Sequence, residues 1–235
     1  MMKLRLTLLM TFTSIISVSA QYFVEENLSF SKKKGAYVIT NAGERIDGEF
    51  AWLKFNRYSI KELALDVNGE KKKFTAEEIK VFVGVPSGLA KFSDGMDRAT
   101  DINKLAGQDF EEVIKRDSSY FEQALIPRKK EFRMVQLLNP GFDSKIKVFK
   151  DPFGKETASI GVAGMKVAGG DEKSVLIKKE GAEDSMFLTK KNIDEEFKNI
   201  FGDCPKLMEY VKDKPNSIKM SNLAEFVFLY DQWMK

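Results

Sequence analysis

Between residues 36 and 85, short runs of β-forming residues alternate with turn-forming ones, and no other feature of the chain constrains its fold as strongly. Ala36 to Thr40 is a first run, Asn41-Ala42-Gly43 supplies turn residues, and Arg45 to Phe55 continues in extended form, which predicts a hairpin. Leu63 to Val67 and Lys71 to Phe74 flank Asn68-Gly69, the dipeptide best suited to a two-residue type I′ turn, so a second hairpin follows. Thr75-Ala76-Glu77-Glu78 has the form of a capping box and predicts one helical turn, after which Val81 to Val85 resumes as a strand. Gly43 suits a position of positive φ, while Gly48, inside the second run, predicts a bulge or a sharp bend. About five short antiparallel strands of this kind make a small curled sheet or a partly open barrel.

Beyond residue 85 the pattern thins. Residues 86–108 carry Pro86, Gly88, Gly95 and Gly107 among several Asp and are expected as an irregular excursion; Asp109 to Arg116 reads as a short helix. Glu131 to Leu138 and Lys145 to Lys150, on either side of Asn139-Pro140-Gly141, predict a third hairpin. Ser174 to Lys179 and Ser185 to Thr189 predict a fourth. From Asn192 the period becomes helical: Ile193, Phe197, Ile200 and Phe201 share a face and Gly202 closes the helix. Pro205 suits a first helical position, with Leu207, Met208 and Val211 on the buried face of the helix it opens. Ser221 is expected to cap a last helix through Trp233, whose run from Phe226 to Tyr230 is apolar nearly all round; a buried core helix is preferred over a partner-docking one. The expected fold class is α+β: antiparallel hairpins followed by a C-terminal three-helix segment. The expected organisation is a signal peptide at 1–20, an N-terminal linker at 21–35, a β-rich region at 36–190 and a helical cap at 191–235.

The leader rests on Lys3 and Arg5, an apolar run from Leu6 to Val18, and Val18-Ser19-Ala20, with cleavage expected after Ala20. Thr7, Thr11, Thr13, Ser14 and Ser17 interrupt a run already shorter than the roughly 20 residues of a bilayer span, and no later segment is apolar enough to cross. An exported protein, periplasmic or extracellular, is the expectation. Loss of Lys3 and Arg5 reduces the basic side chains from 38 to 36 against 35 acidic ones, a net charge of +1, too small for a nucleic-acid binder. A single cysteine, Cys204, forbids an internal disulfide, so stability falls to an ordinary core in which 19 phenylalanines dominate.

The count of histidine is zero, which removes Ser-His-Asp and Cys-His catalysis, imidazole acid-base steps and His-ligated metal sites. Carboxylate, lysine and tyrosine chemistry survive. Ser159 to Lys173 resembles a phosphate loop only superficially: Gly169-Gly170-Asp171 stands where Gly-Lys-Ser/Thr is needed, so a flexible loop joining strands is expected. Asp94, Asp97, Asp101 and Asn103 invite a calcium loop, with Asp101, Asn103 and Glu112 at its first, third and twelfth positions, yet Leu105 and Ala106 occupy the places of a ligand and the obligatory glycine. Ser-x-x-Lys occurs at Ser29 to Lys32 and Ser31 to Lys34 without its companion motifs. Cys204 at a helix start is either an activated thiol or a small buried residue, and the second reading is preferred. Ile126-Pro127-Arg128-Lys129-Lys130-Glu131-Phe132-Arg133 is the most basic local segment beside an aromatic. It suits contact with anionic lipid or cell-wall polymer, or a strand edge protected by charge, and the edge is preferred. No catalytic, cofactor or metal residues are assigned, and no cofactor is expected.

Gly35-Ala36-Tyr37-Val38-Ile39-Thr40 running into Gly43-Glu44-Arg45-Ile46-Asp47-Gly48, together with Phe201-Gly202-Asp203-Cys204-Pro205 ahead of a terminal aromatic helix, resembles a loose group of uncharacterised secreted proteins of Gram-negative bacteria. In that group a leader precedes a pattern like Gly-Tyr-Ile-Val-Thr-x-x-Gly-Asp-x-Ile-x-Gly, and Asp-Cys-Pro stands near the end. Here Ala36 separates the glycine from the tyrosine and Glu44 replaces Asp. The resemblance covers both ends of the chain that follows the leader and implies export but no functional residues. The functional expectation is a non-enzymatic binding or structural module at the bacterial cell envelope, with an envelope protein or polymer as partner. The alternatives are a histidine-free, carboxylate-based envelope hydrolase acting on glycans, and a self-associating envelope component.

Overall fold

The computed structural model describes residues 23–24, 26–88, 118–154, 159–162, 165–169 and 174–235. Its strands are β1 (Gly35–Thr40), β2 (Arg45–Asn56), β3 (Ser59–Val67), β4 (Glu70–Thr75), β5 (Ile79–Gly84), β6 (Ser119–Ile126), β7 (Glu131–Gln136), β8 (Ile146–Lys150), β9 (Ser159–Val162), β10 (Met165–Gly169), β11 (Ser174–Lys179) and β12 (Met186–Thr189). Three helices close the chain: α1 (Ile193–Phe201), α2 (Pro205–Lys212) and α3 (Leu223–Trp233). The fold is α+β, as the hairpin pattern and the late change of period predict.

Six of the strands close a barrel. The order β2-β1-β5-β6-β7-β3 returns to its start because β3 also pairs with β2, every neighbour being antiparallel. One edge of β3 serves two partners: Ser59 and Ile60 meet β7, and Glu62 to Val67 then carry β4 as an additional outer strand. Closure removes the open edges that a flat sheet of this size would expose. Asn68 and Gly69 both lie in the left-handed region, at φ 57° and 88°, as a type I′ turn requires. Gly43 has φ 84°, but Gly48 is required for a different reason. A Cβ there would sit 2.6 Å from the Asp66 carbonyl of β3, so Gly48 lets the strands approach; the irregularities of β2 fall later, at Phe50/Trp52 and Lys54/Phe55, and not at Gly48 as a bulge there would require.

The barrel interior is filled by phenylalanine rather than open to a ligand. Phe82 and Phe121 are fully buried, with Phe50, Val38, Ile60, Leu63, Leu65, Ile79 and Met134 around them. Phe30, from ahead of β1, inserts among them with ring centroids 5.2 Å from Phe82, 5.3 Å from Phe50 and 5.9 Å from Phe121. The segment at 21–35, expected as a linker, is in its described residues a strap across the molecule. The Val24 amide donates to the Leu138 carbonyl, Asn27 reaches Gln136 and Ser119, and Ser31 and Ser87 bond backbone to backbone with Val85 and Ser29.

A second sheet, ordered β12-β11-β8, stacks on the outside of the barrel. Period-two alternation divides each strand between two faces. Met134 of β7 enters the barrel, whereas Val135 and Leu137 point outward to meet Phe149 and Leu176 of the second sheet, with Ala124 and Ile126 beside them. The opposite face of that sheet, Ile146, Val148, Val175, Ile177 and Leu188, packs on the helices through Phe197, Phe201, Leu207, Phe226 and Val227. Three layers result: barrel, sheet and helices.

Several expectations are corrected. Thr75 to Glu78 forms a turn, not a helical one: the Glu78 carboxylate accepts from the Thr75 amide (2.7 Å) and hydroxyl (3.0 Å), which closes the β4–β5 connection. The third hairpin is not a ladder, because β7 and β8 join different sheets; their backbones are linked by the Leu137–Phe149 bridge and the Leu138 amide to Val148 carbonyl bond, just past the end of β7. Buried Asn139 organises the link, donating to the carbonyls of Phe142 and Ile146 and accepting from the Val148 amide. The stretch from Ser159, expected as a loop, pairs β9 with β10. Gly202 closes α1 in right-handed geometry, and a Cβ would press on the Lys198 carbonyl. Asn222, not Ser221, is the N-cap position of α3. The helix expected at Asp109 to Arg116 and residues 89–108 of the excursion lie outside the described residues.

Candidate functional site

The strongest concentration of unlike chemistry lies where the barrel meets the second sheet. Three cationic side chains from two separate places in the sequence, Arg57 and the 126–133 segment, converge on the ring of Phe153. The guanidinium carbons of Arg57 and Arg133 lie 4.9 and 4.8 Å from its centroid, and the Lys129 ammonium lies 5.6 Å away. Beside them Arg128 stacks on Phe187 of β12 at 3.6 Å. Cation–ring attraction is the local reason for each contact, since the ring face carries partial negative charge.

Each member is held by its own element. Phe153 follows β8 in a turn built on buried Asp151, whose carboxylate accepts from the Phe153 amide (2.9 Å) and from the Ser174 hydroxyl (2.7 Å). Arg57 sits at the two-residue tip joining β2 to β3 with φ 57°, a left-handed conformation that glycine adopts without the cost an arginine bears. Lys129 lies in the four-residue connection of β6 and β7, where the Lys129 and Lys130 amides both donate to the Ile126 carbonyl and Lys130 has φ 52°. Arg133 is the most fixed: its Nε donates to Glu131 at 2.7 Å and its Nη1 to the Ser59 hydroxyl at 3.2 Å, leaving its side chain 18% exposed. The Ser185 hydroxyl donates to the Leu125 carbonyl and ties the start of β12 to the same hairpin. Behind the cluster the strap contributes a buried ion pair, Lys150 with Glu26 at 3.2 Å, and Lys150 also lies 4.8 Å over the Tyr58 ring. The region presents two guanidinium groups, of which that of Arg133 is held by hydrogen bonds, and a lysine point charge around one aromatic ring, a combination that receives anions.

A second polar cluster explains the Asp-Cys-Pro sequence. Lys179 of β11 donates to the Ile200 carbonyl (2.8 Å) and to Asp203 (2.9 Å), while the Tyr230 hydroxyl reaches both oxygens of the same carboxylate at 3.0 and 3.1 Å. Burial works against ionisation of Asp203, but the Lys179 ammonium and the Tyr230 hydroxyl outweigh it and hold its carboxyl below the ordinary value. Tyr230 is raised, first by burial and then by the adjoining carboxylate, against the lowering effect of Lys179. The next residue on α3, Asp231, accepts from the Ser144 amide (3.0 Å), the Ser144 hydroxyl (2.5 Å) and the Lys145 amide (3.2 Å), with the Lys235 ammonium 2.8 Å from its other oxygen. Burial would raise Asp231 as well, yet Lys235 and Ser144 leave it lowered. These groups clamp the helices to the second sheet, so their chemistry is accounted for by packing.

Cys204 is 1% exposed within the helical core, its carbonyl accepting from the Leu207 and Met208 amides at the start of α2. It is a buried residue of the turn between helices. The Ser31 hydroxyl donates to the Pro86 carbonyl, a bond that anchors the strap. Asp94, Asp97, Asp101, Asn103 and Glu112 lie outside the described residues, as do Gly164 and Gly170 to Lys173. Among the described residues, no three Cys, Asp or Glu side chains gather in a way that could hold a metal ion.

The basic segment at 126–133 was visible in the sequence; its partners Arg57 and Phe153 were not, because nothing local distinguishes an arginine at a hairpin tip or a phenylalanine after a strand. Phe132, the aromatic of that segment, is 63% exposed, whereas the ring the cations meet belongs to Phe153, on another element. No protein-family model, no curated protein and no solved structure matches the chain.

Proposed function

We propose that this protein is an exported binding module of the bacterial cell envelope that engages its partner through the cationic face around Phe153. One observation carries the reading: Arg57 and the Lys129–Arg133 segment, more than 70 residues apart, are brought together over one ring by the closure of the barrel and the docking of the second sheet. Arginine beside aromatic rings is a common makeup of recognition sites, where a rigid apolar floor lowers the ordering cost of binding. The leader and the late Asp-Cys-Pro, which resemble those of secreted Gram-negative proteins, support the location.

The test is cross-linking of the protein in intact cells, followed by fractionation and mass spectrometry of what is attached. A reproducible envelope partner, lost in the R57Q/R133Q double variant but retained in K72Q on β4, is the expected result. Recovery of free protein alone would remove the proposal. Turnover of a polysaccharide panel, abolished by a single Asp or Glu replacement, would replace it with glycan hydrolysis.

A further inference from the structure

We infer that the Arg57–Lys129–Arg133 cluster above Phe153 binds a phosphate group, an inference that rests on the binding-module reading and names the ligand chemistry of the same face. Three positive groups lie within 5.6 Å of one ring centre, and the carboxylate bonded to the cluster is Glu131, on Arg133. Three cations less one carboxylate leave a charge of about +2, which an ionised phosphate monoester of about −2 neutralises and a lone carboxylate does not. Geometry points the same way. A guanidinium offers parallel N–H donors at the spacing of two phosphate oxygens, and Arg133 is already held by Ser59 and Glu131, so little ordering remains when the anion arrives. Lys129, on an exposed loop, supplies a mobile point charge.

The backbone bordering the cluster is also strained. Arg57 and Lys130, in the two hairpin connections that border the cluster, both occupy the left-handed region in place of glycine. Backbone strain of this kind persists where the surrounding structure enforces it and gathers at ligand sites. Here it borders a convergence of like charges, whose mutual repulsion one bound dianion would offset.

The phosphate has two possible sources, a free phosphate or phosphomonoester and the headgroup of an anionic phospholipid, and the assay separates them. The purified protein is titrated calorimetrically with inorganic phosphate, then with phosphatidylcholine vesicles with and without phosphatidic acid, whose headgroup is a phosphomonoester. Binding of inorganic phosphate in the millimolar range or tighter identifies a free phosphate ligand; binding only to the phosphatidic acid vesicles identifies a headgroup. In either case R57Q, K129Q and R133Q should each weaken binding about tenfold, since each removes a charge-assisted contact, while K72Q changes it less than twofold. The Lys129 side chain is exposed and forms none of the hydrogen bonds that fix the hairpins, its amide bond to the Ile126 carbonyl being unchanged by substitution, so K129Q tests the site even where R133Q disturbs the fold. Equal weakening by K72Q would show binding to surface charge at large and overturn the inference. So would the absence of binding to phosphate and to both vesicles. If that absence is accompanied by cellular capture of a partner that still depends on Arg57 and Arg133, the phosphate assignment fails and the binding-module reading stands; if capture is lost too, both fail.

Discussion

Phe30 and Gly84 should be energetically coupled, because the barrel interior accepts the ring of one only where the other has no side chain. Phe30 is 7% exposed and its ring contacts Phe50, Phe82 and Phe121. Truncation to alanine removes a large apolar group from a packed site and should cost about 3–5 kcal/mol. A Cβ on Gly84 would lie 2.8 Å from Phe30 Cδ1 and 2.8 Å from Phe82 Cζ, so Gly84→Ala overpacks the core at about 2 kcal/mol. Removing the Phe30 ring relieves one of those two contacts, and in the F30A background the same glycine substitution should cost only about 1 kcal/mol, a coupling of about 1 kcal/mol. Urea unfolding of the four proteins in the cycle measures this directly, and F30A alone should lower the thermal midpoint by about 10 °C for a chain of this size. Additive changes would refute the packing of Phe30 against Gly84, and an F30A midpoint equal to that of the parent would show that the strap is dispensable to the barrel.

Three other outcomes follow from the clamp, the hairpin tip and the buried thiol. Asp231→Asn should lower stability at neutral pH by about 2 kcal/mol, because three donors lose an ionised acceptor. Since the native carboxyl is held below its ordinary value of about 3.9, its contribution is complete above that pH and is lost as pH falls through the lower, folded value. Denaturation midpoints measured from neutral to acid pH should therefore fall less steeply in D231N than in the parent. Arg57→Gly should leave stability unchanged or raise it by up to about 1 kcal/mol through relief of the left-handed backbone, while abolishing part of the anion affinity; a loss of several kcal/mol in the denaturation curve would contradict this. Cys204 should react with a thiol reagent only as fast as the helical core opens, so that rapid stoichiometric labelling of the folded protein would be inconsistent with its burial.

Much of the architecture is legible locally. Asn68-Gly69 encodes its turn through two residues that tolerate positive φ, and the helical period of Ile193, Phe197, Ile200 and Phe201 matches the face that packs. Other elements mislead for identifiable reasons. Thr75 to Glu78 has capping-box chemistry, and the same hydrogen bonds close a turn because a strand begins at Ile79 before a helix can propagate. Glu131 to Leu138 and Lys145 to Lys150 look like two arms of a hairpin, yet each finds a better partner elsewhere, β7 on β6 and β8 on β11. The basic run at 126–133 is evident, but the site it belongs to is completed by Arg57 and Phe153, which carry no local mark.

The sequence by itself determined the α+β class, the turn positions at Gly43 and Asn68-Gly69, the proline-initiated helix, and the exclusion of histidine chemistry, all properties of residue type and short-range spacing. Only the tertiary structure decided that the curled sheet closes into a barrel, that residues ahead of β1 plug it, and that three cations meet over Phe153. Those outcomes depend on contacts between residues far apart in the chain, such as Ser59 with Val135 and Arg57 with Phe153, and on which faces must be buried together once every strand has a hydrophobic side.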